Sequence, residues 1–304
     1  MNEPLTVNMA GKVAIVTGAT AGLGKELARG LARLGAQVIL PARSLERGEA
    51  ALQDIVTTTG NKNISVMKLD VSSTESIKAF VAEVKQKTPK LHIIINNAGA
   101  WFTDRRESPE GNELQLATNV LGPYLLNNLL LDLLRASAPA RIINVASGFA
   151  ANYDASDLQF SKRKYDGFKA YGQSKQAIRM LSFGLAERLK GSGVTVNAVE
   201  PGFVKTDLNR NAKGMIPFFI NVSAKLFAVL PAAGADTPLW AAVAPELEGV
   251  TGKFLGGRKE KESKFREPGP IAELERACED FVTRAPGAAG IPRSEAPRAS
   301  SPLA

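Results

Sequence analysis

Thr17-Gly18-Ala19-Thr20-Ala21-Gly22-Leu23-Gly24 lies between a short β-branched run, Lys12 to Thr17, and a helical pattern from Lys25 to Leu34 that Gly35 closes. Backbone amides at a helix N-terminus attract phosphate, and glycines let a ligand come close to the chain. A glycine cluster alone is a weak signal, because any tight strand-to-helix turn can use one. After a first strand and before a helix, within a βαβ unit, it predicts a dinucleotide site.

Outward from that turn the alternation continues. Gln37 to Leu40, Ile64 to Leu69, Leu91 to Asn96, Arg141 to Ala146 and Val194 to Val199 read as strands. Leu45 to Thr58, Ser73 to Lys87, Leu114 to Leu134 and Tyr171 to Lys190 read as helices between them. The strands show no polar alternation, as burial on both faces requires. The expected fold is α/β: a single Rossmann-type, doubly wound parallel sheet with helices on both faces, over residues 1–285. Residues 286–304 are mostly Ala, Pro, Gly, Ser and Arg. They hold too few large apolar groups to offset the entropy of ordering and read as a disordered tail.

Composition removes several classes. The chain has 304 residues, 44% apolar and 22% charged, which excludes global disorder and fibrous repeats. One cysteine, Cys278, permits no internal disulfide and makes a thiolate metal site an unfavourable reading, so no metal is expected. A single histidine, His92, excludes any site needing two imidazoles; it begins a strand away from the motifs and reads as structural. The formal charge is +8, with basic runs at Lys162-Arg163-Lys164 and Arg258 to Lys261. No aromatic interleaving accompanies them, so they read as solvated surface and not as a nucleic-acid site. Met1 to Ala10 lacks a signal-peptide pattern, and the apolar stretch 215–231 is broken by Asn221, Ser223 and Lys225. A cytoplasmic protein without a transmembrane segment is expected, with 215–231 as a lid or a peripheral membrane contact.

The glycine spacing is Gly-x-x-x-Gly-x-Gly, and here the chain resembles the short-chain dehydrogenase/reductase family. The other marks follow in order: Asp70-Val71, Asn96-Asn97-Ala98-Gly99, Asn119, Ser147, Tyr171-x-x-x-Lys175, Pro201-Gly202 and Thr206. The resemblance spans about Lys12 to Gly257. It implies that Gly18, Thr20, Ala21, Gly22, Leu23 and Gly24 hold the cofactor's phosphates and that Asp70 and Val71 border its adenine. Asn96, Ala98 and Gly99 would line its middle, and Pro201, Gly202, Val204 and Thr206 its nicotinamide, with Tyr171 and Lys175 against it as well. Asn97 has two open readings, a cofactor contact or a tie between neighbouring strands.

Cofactor choice is readable at the end of the second strand. An NAD site places a carboxylate there to accept from the ribose 2′-hydroxyl. This chain reads Leu40-Pro41-Ala42-Arg43, and its first acid is Glu46. Arg43 can pair with a 2′-phosphate that a carboxylate would repel, so the expected cofactor is NADP(H).

Tyr171 and Lys175 are four apart and share a helix face. A free phenol titrates near pH 10, and a neighbouring ammonium lowers that value whereas burial raises it. The pair is a tunable proton donor and acceptor. By resemblance, Ser147 holds the substrate oxygen beside Tyr171, and Asn119 polarises a water linking Lys175 to solvent. The catalytic set is then Asn119, Ser147, Tyr171 and Lys175. Trp101, Phe149 and Phe203, with Ser147, are expected to line the substrate pocket.

Ser147 and Tyr171 are 24 positions apart, and the active helix reads Ala170-Tyr171-Gly172-Gln173-Ser174-Lys175. With Leu40 to Arg43, this is similar to the retinol dehydrogenase and WW-domain oxidoreductase branch. That likeness implies a lipophilic alcohol or carbonyl substrate, and a homodimer or homotetramer paired through the two long helices after the fourth and fifth strands. Many retinol dehydrogenases carry an N-terminal anchor that Met1 to Ala10 does not display. A catalytically idle NADP-binding regulator is the alternative class; the intact Ser147, Tyr171 and Lys175 weigh against it.

Overall fold

Strand β1 (Val13–Val16) is buried along its whole length and divides its side chains between two cores. Val13 and Ile15 face one layer of helices, Ala14 and Val16 the other. Two-sided burial is why the strands read as continuous apolar runs. A computed structural model describes residues 3–150, 153–202 and 231–284 of the chain. Phe203, Val204, Thr206, residues 215–230 of the expected lid and the 286–304 tail lie outside the described residues.

The alternation continues with α1 (Gly22–Arg33), β2 (Gln37–Ala42), α2 (Leu45–Thr59), β3 (Ile64–Lys68), α3 (Thr74–Lys87) and β4 (Ile93–Asn96). After β4 come α4 (Leu114–Leu116), a π-helical turn (Ala117–Leu121) and α5 (Gly122–Ala136). Then follow β5 (Ala140–Val145), α6 (Gly167–Arg188) and β6 (Val194–Val199). The described chain ends with α7 (Pro231–Gly234), α8 (Asp236–Val243), β7 (Phe254–Gly256), β8 (Lys259–Glu260) and α9 (Pro268–Thr283). The strand order is β3-β2-β1-β4-β5-β6-β7-β8, parallel throughout except for the antiparallel pair β7–β8. Helices α1, α2 and α8 contribute to the core on one face of the sheet; α3, α5, α6 and α9 contribute to the other.

Two features depart from the sequence expectations, and two more had no expectation set against them. The single helix read over Leu114 to Leu134 is interrupted by the π-helical turn, which no Gly or Pro in 117–121 announces. Helix α6 begins at Gly167, a turn before Tyr171, because the Asp166 carboxylate accepts from the Phe168 and Lys169 amides. Strands β7 and β8 are too short to register as a pattern. Helix α9 lays Ile271, Leu274, Cys278 and Val282 against the core, a helical spacing that was legible.

The basic runs are not simply solvated. Arg163 pairs with Asp154 and Asp157 and stacks on Phe160 at 4.0 Å. Arg258 pairs with Asp236 at 2.5 Å, and Lys261 pairs with Glu200. Each run thus supplies at least one cation to the protein's own ion pairs. His92 accepts the Val13 amide through Nδ1 and joins the start of β4 to that of β1.

Candidate active site

Strand order reverses between β1 and β4, and the Thr17–Gly24 turn sits at the carboxyl end of β1 beside that switch point. Thr17 Oγ1 accepts from the amides of Asn97 and Ala98, each at 3.0 Å, while Asn97 Nδ2 donates to the Thr17 carbonyl at 2.9 Å. Asn97 therefore ties the two strand ends together. A Cβ on Gly24 would collide with the Gly18 carbonyl and the Asn97 amide, so the turn lies flat against the β4 loop. Gly18 and Gly22 adopt φ of 68° and 53°, conformations that favour glycine.

The helix behind this turn suits an anion. Side chains of Ser44, Ser73 and Asp166 cap α2, α3 and α6, but α1 starts at Ala21 without a side-chain cap or an acid in its first turn. The space a Cβ on Gly22 would enter is open among the described residues. Uncapped amides, positive-φ glycines and open space form a cradle that fits the pyrophosphate of a dinucleotide.

At the end of β2, Arg43 is exposed, and its carbonyl accepts from Lys68 Nζ at 2.5 Å. Lys68 closes β3 opposite Ala42, so two cations stand side by side at the carboxyl ends of β2 and β3. Sequence reading missed Lys68, because only strand register brings it there. Asp70 Oδ1 accepts from the Ser72 amide and hydroxyl, fixing the turn that carries Val71. The Asn96 side chain is not brought to the site: it is buried and donates to Asn127 and Asn144, both at 2.8 Å. Only its backbone can face a ligand at the strand end.

Ser147, Tyr171, Lys175 and Asn119 do converge. Lys175 Nζ lies 5.7 Å from the centre of the Tyr171 ring and donates to the Val145 carbonyl at 2.8 Å. The Ser147 hydroxyl lies near enough to the Tyr171 phenol to favour its ionised form, and it accepts the Phe149 amide at 3.1 Å. A Cβ on Gly99 would stand 3.5 Å from Asn119 Oδ1 and 3.6 Å from Lys175 Nζ, so these three positions adjoin. Asn119 lies within the π-helical turn and grips Ala100 at both ends: Oδ1 accepts its amide at 2.8 Å and Nδ2 donates to its carbonyl at 3.0 Å. That two-point bond fixes the chain leaving the Ala98-Gly99 turn.

Burial sets the titration of the pair. It pushes Tyr171 up to about 12, opposed by the neighbouring Ser147 hydroxyl, and pulls Lys175 down to about 8. The lowering of the phenol expected from the Lys175 ammonium is not found: burial raises the phenol and Lys175 is not among the groups that oppose it. Lys175 is spent on the Val145 carbonyl, and Ser147 is the group that favours phenolate.

Of the aromatic residues, Phe149 stacks on Phe168 with ring centres 4.1 Å apart. Trp101 is buried, and its Nε1 has no partner among the described residues. Among those residues no group of three or more His, Cys, Asp or Glu side chains could hold a metal ion, and no helix is long and apolar enough to cross a membrane.

A mostly parallel sheet, a glycine cradle at its switch point and a Ser-Tyr-Lys cluster beside it define a nucleotide-binding oxidoreductase of Rossmann type. The chain belongs to the short-chain dehydrogenase family, whose model matches residues 12–216. It is 41% identical to retinol dehydrogenase 13 of Homo sapiens, over 90% of this chain and 83% of that protein. It is 40% identical to retinol dehydrogenase 12 of Mus musculus, over 83% and 80%. Among solved structures, an uncharacterized protein from Mycobacterium paratuberculosis superposes with a TM-score of 0.74 at 28% identity, covering 91% of this chain and 95% of that one. The Pseudomonas aeruginosa RhlG/NADP active-site complex superposes with a TM-score of 0.66 at 26% identity, over 84% and 98%.

Proposed function

We propose that the chain is an NADP(H)-dependent oxidoreductase acting on a lipophilic alcohol or carbonyl compound, with Tyr171 as general acid and base. The observation that carries the reading is the meeting of Ser147, Tyr171 and Lys175 beside a dinucleotide-type cradle.

Gly18, Thr20, Ala21, Gly22, Leu23 and Gly24 would hold the pyrophosphate, with Asp70, Val71, Ala98, Gly99, the Asn96 backbone, Pro201 and Gly202 along the rest of the cofactor. Val204 and Thr206 belong to the same reading. Arg43, with Lys68 beside it, supports a 2′-phosphate and hence NADP(H). When bound, the nicotinamide supplies or accepts the hydride.

The protein's own groups handle the proton. Ser147 orients the substrate oxygen toward Tyr171. In reduction the phenol gives that oxygen a proton; in oxidation it takes one from the alcohol. Lys175, titrating near 8, can restore or remove the Tyr171 proton close to neutral pH. Asn119 holds Ala100 and thereby the Gly99 turn on which the cofactor would rest. Trp101 and Phe149 would supply apolar surface, Phe203 belongs to the same reading, and the names of the retinol dehydrogenase relatives support a lipophilic substrate.

The test is oxidation of NADPH and of NADH by the purified chain with aliphatic, aromatic and retinoid aldehydes and ketones, repeated with Tyr171→Phe. NADPH-dependent turnover that disappears in the variant supports the reading. Preference for NADH overturns the assignment to Arg43. Tight NADPH binding without turnover across the panel favours an idle regulator.

A further inference from the structure

Below the Ser147 loop lies a set of charges that the reaction does not use. Arg179 is on α6, one turn beyond Lys175 and two beyond Tyr171, hence on their face of the helix. It is buried, with its guanidinium 3.7 Å from the centre of the Phe254 ring, and one Nη donates to the carbonyl of Ser147. Its Nε has no partner among the described residues. A cation in so dry a place is costly and is kept down to about 10 by burial, with Glu200 as the opposing charge.

Glu200 is itself built in. It is buried, follows the last residue of β6 immediately before Pro201-Gly202, and receives Lys261 from beyond β8. Its carboxylate fills space that two glycines leave. A Cβ on Gly148 would come within 2.6 Å of Glu200 Oε2, and a Cβ on Gly256 within 2.6 Å of its Cγ and Oε1. Glu200 therefore presses on the residue after Ser147, while Arg179 holds the carbonyl of Ser147 itself.

We propose that Arg179 and Glu200, braced by Lys261, are positioning residues that set the Ser147 hydroxyl against Tyr171 and lock its loop to the Pro201-Gly202 turn. The carbonyls of Val145 and Ser147 are two residues apart on one strand end. Helix α6 reaches them with side chains one turn apart, Lys175 and Arg179. Turning α6 or lifting the loop would have to break both bonds. Because Ser147 is the group that opposes the rise of the phenol, displacing it changes the acidity of Tyr171 as well as its reach. The inference deepens the functional reading above and rests on it for the role of Ser147.

The experiment compares wild type with Arg179→Met, Arg179→Lys, Glu200→Gln, Ser147→Ala and the double variant Ser147→Ala/Arg179→Met. Measured are kcat and KM with the best aldehyde of the panel, the pH profile of kcat, NADPH affinity by fluorescence, and crystal structures of wild type and Arg179→Met. Arg179→Met is expected to lower kcat about 10- to 100-fold, the scale of a misplaced reacting group. NADPH affinity should stay within about twofold, and the apparent pKa of the alkaline limb should rise. Arg179→Lys should restore part of the loss. Glu200→Gln, which preserves shape, should show the same direction with a smaller effect. In the Ser147→Ala background Arg179→Met should add little, since its action passes through Ser147. Full additivity, or an unchanged pH profile, overturns the proposal. The crystal structures decide it even if no substrate turns over: a Ser147 hydroxyl unmoved relative to Tyr171 in Arg179→Met refutes the positioning role, whereas absent wild-type turnover bears only on the functional reading.

Discussion

Lys175 Nζ donates to the Val145 carbonyl at 2.8 Å, so the one buried lysine of α6 is anchored to the strand that delivers Ser147. In the unfolded chain this amine titrates near 10.5, in the folded chain near 8. Between those values the unfolded state binds more protons, so this group makes stability rise with pH across that window. Below it the buried ammonium costs on the order of 2 to 3 kcal/mol. Lys175→Met removes the charge and also the bond to Val145, with an expected net gain of about 1 to 2 kcal/mol at pH 7. Urea unfolding should show that gain shrinking toward pH 10, while turnover falls at least about 100-fold.

On the proposed reading, Arg43 would supply the charge preference at the ribose end. Arg43→Asp is expected to weaken NADPH binding about 10- to 100-fold, the scale of losing a charge-assisted pair and adding repulsion. NADH binding should hold or improve, because a carboxylate can accept from a 2′-hydroxyl. Isothermal titration with both cofactors separates the two, and equal weakening of both would remove Arg43 from the site.

A buried amide chain joins four elements behind the site. Asn96 Nδ2 donates to Asn127 and Asn144, Asn144 Nδ2 donates to Ser182 Oγ at 2.8 Å, and Ser182 donates to the Ile178 carbonyl. Asn144→Leu leaves a donor of Asn96 and an acceptor on Ser182 unsatisfied in a dry interior. A loss of about 2 to 4 kcal/mol is expected by denaturant titration. Adding Ser182→Ala should cost less than the two single changes summed.

Helix α9 packs on the α6 face, with Ile271 so close to Gly184 that a Cβ there would lie 2.6 Å from Ile271 Cγ2. Tyr124 of α5 donates to Glu279, and Arg188 of α6 pairs with Glu275. The outward side of α9 presents Glu273, Arg276, Glu279 and Asp280, all exposed. A second copy pairing through α5 and α6 would meet this charged helix and not an apolar face. Against the homodimer or homotetramer that the family likeness implies, sedimentation at micromolar concentration is expected to give a monomer; a stable dimer that survives high salt would refute this.

What the sequence disclosed was local. The Thr17–Gly24 turn and the Tyr171–Lys175 pair are each contained in a turn or two of chain, where spacing alone sets geometry. The position of Arg43 was readable because a strand end has a fixed place beside the turn. Arg179 was not, since its partner Ser147 lies 32 residues away and Glu200 and Lys261 arrive on separate strand ends. The direction of the Asn96 side chain was hidden too, because an asparagine at a strand end serves a core or a ligand equally well. Helix α9 had an apolar period open to view, but nothing local says which face of the sheet it covers.

The π-helical turn of Ala117–Leu121 makes the length of the chain a functional quantity. Each residue of an α-helix advances about 100° around the axis. One deletion between 117 and 121 would let the helix regularise and swing either Asn119 off Ala100 or Leu126, Leu130 and Leu134 out of the core. A side-chain replacement that keeps the backbone leaves that register in place. The number of residues between Gly99 and α5 thus constrains this site as tightly as the identity of Asn119 does, and a register error would cost more than a substitution.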